Sequence, residues 1–206
     1  MVKGLETQIV GTEEKILQAA KKVFVNRGMD GARMQDIANE AGINKALVHY
    51  YFRSKEQLFE RIFAESAGRF IPKAKSILIS DLGFYDKISS FCEEYISMAI
   101  SNPFMPMFVL SEMHRQPEAF LQKMFGGELP DLERFQQQIQ EEITSGKIKP
   151  IHPVQLVMNM MSLCIFPFIG KPIIGAIMGL DDASFLNLMI DRKKQVPQFI
   201  FDAIKK

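Results

Sequence analysis

The chain has 206 residues, 25 basic against 24 acidic, and a net charge of +1 at pH 7. It is long enough to bury a sizeable core and too weakly charged to coat nucleic acid without selectivity. Its two cysteines, Cys92 and Cys164, have no CxxC partner and indicate neither a zinc site nor a disulfide framework, so a reducing cytoplasm is the expected setting.

The opening stretch MVKGLETQIVGTEEK has no apolar run of signal-peptide length, and export is not expected. Thr12 is placed to cap a first helix. Glu13 and Glu14 suit the positive end of its dipole, Ile16, Ala20 and Phe24 form its apolar stripe, and Gly28 ends it.

Residues 33 to 56, RMQDIANEAGINKALVHYYFRSKE, fit two short helices and a tight turn into one span. In the first helix Ile37 and Ala41 share a face, Ala38 allows a second helix to cross closely, and Gly42 can take the left-handed conformation that ends a helix. Asn44 offers a side-chain oxygen to cap the second helix. Val48 and Tyr51 of that helix return to the core, while Lys45, Ala46, His49 and Tyr50 face outward. This is the pattern of a helix-turn-helix whose second helix reads DNA. Ser54 and Gln57 form a capping box for the next helix, with Leu58, Phe59, Ile62 and Phe63 as its buried face. Lys55, at the start of that helix, is expected to hold a phosphate, and Arg33, which cannot accept a cap hydrogen bond, is left to reach another. The expected DNA contacts are therefore Arg33, Asn44, Lys45, Ala46, His49, Tyr50 and Lys55. Between residues 20 and 55, Lys21, Lys22, Arg27, Arg33, Lys45, Arg53 and Lys55 outnumber Asp30, Asp36 and Glu40 by four. That excess suits phosphate contact, though an ordinary solvated helical face has the same look.

The run AGINKALVHYYFRSKEQL, about 30 residues from the N-terminus, resembles the tetracycline-repressor (TetR) family of bacterial transcription regulators. The resemblance covers residues 12 to 62 as motif and the remainder as helix pattern and length. Arg33 and Asn44 depart from it, standing where the family usually has Ser or Thr caps. The resemblance implies a homodimer in which the last two long helices, here 153–178 and 182–205, form a four-helix bundle. It also implies a repressor that blocks a promoter until a ligand releases it. Twofold symmetry would require a palindromic double-stranded operator.

All ten prolines lie between residues 72 and 197, which marks a change from a helix-turn-helix domain, residues 1–55, to a second helical domain, residues 56–206. The apolar residues of segments 84–101, 104–115, 118–124, 131–145, 153–178 and 182–205 recur at three- and four-residue steps. Five or six further helices and an all-α chain follow. The stretch from Leu156 to Met178 approaches a membrane span in length and apolarity. Asn159, Lys171 and two prolines count against a span, and a helix broken near Pro167 and Pro172 and packed on a second subunit fits better.

Ten of the thirteen methionines fall between residues 98 and 189, mixed with phenylalanines. Flexible thioethers and rings can line a pocket for an apolar or aromatic effector, and Met98, Phe104, Met107, Phe108, Met113, Phe120, Met124, Met161 and Phe166 are the candidate lining. The same cluster also suits an ordinary core. An enzyme is the competing class, but the three histidines, His49, His114 and His152, belong to no GxSxG, HExxH, P-loop or dinucleotide motif, and no cofactor or metal is implied. A helical enzyme or ligand carrier using the helix-turn-helix as a protein adaptor would need an apolar outward face in place of Asn44, Lys45, His49 and Tyr50.

Overall fold

The helical spacing becomes eleven helices in a computed structural model that describes residues 2–127 and 131–206, without the side chains of residues 2–10 and Lys123. They divide into two compact units, Met1–Ala67 and Gly68–Lys206. The division falls inside α4 (Lys55–Ile79), twelve residues beyond the end of the expected first domain, because the first turns of α4 supply core to the first unit.

In the first unit α1 (Val2–Gly31) begins ahead of Thr12, which lies within the helix instead of capping it. Gly4 and Gly11 each weaken a helix by about 1 kcal/mol without ending it. Gly28 does interrupt α1: at φ 67° and ψ 175° it occupies a backbone region open essentially to glycine alone. Helices α2 (Met34–Ala41) and α3 (Lys45–Tyr51) follow. Ile16, Ala20, Phe24, Ile37, Ala38, Val48, Leu58, Phe59, Ile62 and Phe63 make the core, with the Phe24 and Phe59 rings edge to face at 5.1 Å. Tyr51, expected in this core, is only half-buried, and Phe52, one residue on, fills the place. The helix ends at Tyr51, and the extended backbone of Phe52 (φ −135°, ψ 109°) turns its ring inward.

The second unit holds the rest of α4 and α5 (Phe84–Ser101), α6 (Met105–Arg115), α7 (Pro117–Phe125), α8 (Glu133–Thr144), α9 (Pro153–Ile169), α10 (Lys171–Met178) and α11 (Asp182–Ile204). Helix α5 lies against α8, α9 and α11, which is why Phe84, Ile88, Phe91, Cys92, Tyr95, Ile96 and Ala99 are all buried. Ile148 pairs with Lys205 in an isolated antiparallel bridge, and the Lys149 N–H donates to the Ile204 carbonyl at 2.7 Å, fastening the C-terminus.

The apolar segment 153–178 is two helices, which makes seven after α4 among the described residues. The break lies at Gly170, not at a proline. Pro167 stays inside α9, buried, and Pro172 sits in the first turn of α10, where a missing N–H costs nothing. The two helices bend by 68°, and no single described helix is long and apolar enough to cross a membrane.

Candidate nucleic-acid interface

Backbone geometry fixes the turn between α2 and α3. Gly42 is left-handed at φ 65°, its N–H donates to the Asn39 carbonyl at 3.2 Å, and the Ile43 N–H reaches back to the Ala38 carbonyl at 3.1 Å. These are the two bonds of a Schellman end. Asn44 then caps α3 as expected, its Oδ1 accepting from the Ala46 N–H at 2.9 Å. The start of α2 uses a substitute for the missing cap. A guanidinium has no lone pair to offer, and instead the Arg33 N–H donates to Asp36 Oδ2 at 3.1 Å, the returning half of a capping box. Asp36 also pairs with Arg27 at 2.8 Å. At α4, Ser54 Oγ accepts from the Gln57 N–H at 3.2 Å, while Gln57 Oε1 takes the Arg53 N–H at 3.3 Å instead of that of Ser54.

With α3 held at both ends, Val48 is fully buried and Lys45, Ala46, His49 and Tyr50 are exposed. Tyr50 is 80% exposed and touches Tyr51 edge to face at 5.4 Å, so its ring is no part of the core. His49 Nδ1 lies 3.3 Å from the Arg53 carbonyl. A carbonyl only accepts, so Nδ1 is the protonated nitrogen in that contact, and the neutral ring presents Nε2 as an acceptor. An acceptor can read the exposed amino group of adenine or cytosine.

The cations sort themselves by partner. Lys22 pairs with Glu40 at 3.0 Å, Arg27 with Asp36, and Lys21 with Glu65 at 3.6 Å. Lys55, expected on a phosphate, donates from Nζ to the carbonyls of Met29 (2.9 Å), Asp30 (3.3 Å) and Ala32 (3.4 Å), where α1 ends. Three donors meet three carbonyls that the helix end leaves unsatisfied. Among the described residues Arg33, Lys45 and Arg53 are the exposed cations of this stretch that make no ion pair. Arg53 is not among the expected contacts; its place directly after α3, next to the buried Phe52, is the signal that points to it.

The nine residues expected to line a pocket are dispersed. Met107, Met113 and Phe166 are 57%, 43% and 63% exposed, Phe120 is buried, and Met98, Phe104, Phe108, Met124 and Met161 are half-buried. Phe108 and Phe120 meet edge to face at 6.4 Å, joining α6 to α7. Of the nine, only Met161 lines the apolar cavity formed with Leu78, Phe91, Leu132, Phe135, Val157 and Met160. That cavity measures about 20 Å³. It has room for roughly one water, against about 300 Å³ or more for a drug-sized ligand.

Cys92 and Cys164 prove to be neighbours across α5 and α9, both buried, and the hydrogen bond to Cys92 together with burial pushes the Cys164 thiol well above its ordinary range. Such thiols pack and do not attack.

Residues 16–62 match the family profile described as bacterial regulatory proteins, tetR family. The chain is 23% identical over 196 residues to the HTH-type transcriptional regulator RutR of Escherichia coli strain K12, covering 94% of this chain and 92% of that one. It is 24% identical over 171 residues to the HTH-type transcriptional repressor KstR2 of Mycolicibacterium smegmatis, covering 76% and 77%. The structure of ketosteroid transcriptional regulator KstR2 of Mycobacterium tuberculosis superposes with a TM-score of 0.69 over 94% of this chain and 95% of that one, at 12% identity. That likeness shows the fold alone.

Proposed function

We propose that this chain, which belongs to the tetR family of bacterial regulatory proteins and is a transcription regulator, not an enzyme, acts in the cytoplasm as a repressor. It binds a palindromic operator as a homodimer and is released by a small apolar or aromatic effector. The observation that carries this reading is α3: a helix capped by Asn44, anchored by Val48 and Phe52, that turns Lys45, Ala46, His49 and Tyr50 to solvent, with the exposed cations Arg53 just past its end and Arg33 at the start of α2 in no ion pair among the described residues. Cations at its margins suit phosphates, and the polar and aromatic groups between them suit base edges.

Dimerisation is supported by apolar surface that a monomer has no reason to expose. Val154, Met158 and Phe166 on α9 lie at four- and eight-residue steps and are 50%, 54% and 63% exposed, opposite the buried Leu156, Met160 and Cys164. Phe199 on α11 is 65% exposed. A twofold pair of recognition helices would read the two half-sites of one duplex face.

Selection of DNA from a random pool by the purified protein tests this reading. The enriched sequences should share an inverted repeat and should bind the protein with a steep salt dependence. A pool that emerges without a common sequence would overturn it.

A further inference from the structure

The imidazole of His49 is oriented by the segment that joins α3 to α4. Helix α3 stops at Tyr51 and Phe52 is extended, so the Arg53 carbonyl lies outside the helical ladder and within reach of the side chain four residues back. Both polar backbone groups of Arg53 are engaged. Its carbonyl accepts from His49 Nδ1 at 3.3 Å, and its N–H donates to Gln57 Oε1, on α4, at 3.3 Å. Gln57 is held in turn by Ser54, whose Oγ accepts from the Gln57 N–H at 3.2 Å. The ring is thereby tied to the start of α4 before any DNA arrives.

The bond to Arg53 decides the chemistry of the other ring nitrogen. With the proton of the neutral ring on Nδ1, Nε2 carries a lone pair and no proton. His49 is exposed, and among the described residues Nε2 makes no hydrogen bond. On the helix surface its neighbours are Lys45, four residues before, and Ala46, three before, whose methyl group leaves space beside the ring. Arg53 follows the end of the helix. Lys45 and Arg53 are both exposed and in no ion pair among the described residues. Cations on either side suit the phosphates that bound a groove, and the acceptor between them is left for a base edge.

We propose that His49 is a specificity-determining residue that holds one position of each half-site to an amino-bearing base, adenine or cytosine, and rejects guanine and thymine there. In the major groove adenine N6 and cytosine N4 are donors, whereas guanine presents N7 and O6, and thymine O4, all acceptors. Nε2 pairs with either amino group. Against guanine or thymine it meets another lone pair and loses its water without gaining a partner. One neutral hydrogen bond discriminates about three- to tenfold. This inference rests on the operator-binding reading above and adds to it the class of base that the recognition helix accepts.

Two measurements on the full-length protein test it. Nitrogen-15 correlation spectra of the free protein, at a pH where the ring is neutral, should place the His49 proton on Nδ1 and leave Nε2 bare. A proton on Nε2 would overturn the proposal. The second measurement selects DNA from a random pool with the wild type and with His49→Ala, a truncation at an exposed position that should leave the fold intact. The wild type should enrich an inverted repeat in which one position of each half-site favours adenine or cytosine over guanine and thymine by about three- to tenfold. His49→Ala should make that position indifferent and preserve the rest of the repeat. The assignment fails if every position survives His49→Ala, if the repeat is lost altogether in that variant, or if the His49-dependent position favours guanine or thymine. Each of those results leaves the operator in place. A wild-type pool with no common sequence instead removes the operator reading, and the base assignment with it.

Discussion

The guanidinium of Arg192, on α11, donates from Nη2 to the backbone carbonyl of Leu163, on α9, at 2.8 Å. In an uninterrupted helix that carbonyl would accept from the N–H four residues later, but residue 167 is a proline and has none. The side chain therefore replaces a backbone donor and ties two helices together. Arg192→Leu should destabilise the protein by about 1.5–3 kcal/mol, the range for a hydrogen bond to a charged group. In a Pro167→Ala background the loss should be smaller, since that substitution restores the missing N–H. A double-mutant cycle by urea denaturation gives the difference, and equal losses in both backgrounds would show that the bond does not serve the proline.

Lys55 should behave unlike the other cations near α3. With its ammonium on the carbonyls of Met29, Asp30 and Ala32, Lys55→Ala should lower the melting temperature and leave the salt dependence of operator binding nearly unchanged. Lys45→Ala and Arg53→Ala should do the reverse, each flattening the slope of log affinity against log salt by about 0.9 for every phosphate left without its cation. A flatter slope for Lys55→Ala with no thermal effect would return that lysine to the phosphates.

What the sequence disclosed here was local. Gly28, Gly42, Asn44 and Ser54 act within five residues of themselves, and each is legible in the sequence, whereas Gln57, expected to return to the Ser54 N–H, accepts from Arg53. What it hid was long-range. Pro167 reads as a break until Arg192, distant in the chain, takes over its orphaned carbonyl. Lys55 reads as a phosphate ligand until the end of α1 is placed beside it. Cys92 and Cys164 show no spacing motif, because their contact is made by the packing of α5 on α9. The Met and Phe cluster was the least legible: composition cannot separate Phe120, buried, from Phe166, exposed, although both lie on helices rich in the same residues.

Tyr50 offers a test of contact type on DNA. Because it is 80% exposed, Tyr50→Phe and Tyr50→Ala should each change stability by less than about 0.5 kcal/mol. A drop in operator affinity for both variants assigns the hydroxyl, and a drop for Tyr50→Ala alone assigns the ring. Unchanged affinity in both would remove Tyr50 from the interface.

Asp181 links stability to acid. Its Oδ1 accepts from the Ser184 N–H at 2.7 Å at the start of α11, and the Ser184 hydrogen bonds hold its carboxyl below the usual range. The contribution is therefore present above the unfolded value, about 3.9, and is lost as pH falls through the depressed folded value. Asp181→Asn, which still caps but does not titrate, should make the acid limb of the thermal stability profile shallower. An unaltered limb would show that the cap plays no part in acid sensitivity.

Phe199 is the sharpest probe of the dimer, because Leu163 on α9 and Phe199 on α11, both apolar residues of the expected four-helix bundle, are not equivalent. Leu163 is partly buried and packs against the core of its own subunit, so Leu163→Asp should damage folding whatever the oligomeric state. Phe199 is 65% exposed, and Phe199→Asp should leave the isolated subunit folded while placing a charge in the proposed interface. Sedimentation at micromolar concentration should move from twice 23.5 kDa to a single subunit, with helical circular dichroism retained. Operator affinity should fall with it, because one recognition helix alone makes too few contacts to hold a half-site. A wild type that sediments as a monomer would remove the interface. If Phe199→Asp remained a dimer with full operator binding, the interface would have to be sought elsewhere, with the exposed Ile173, Ile177 and Met178 of α10 as the next surface to charge.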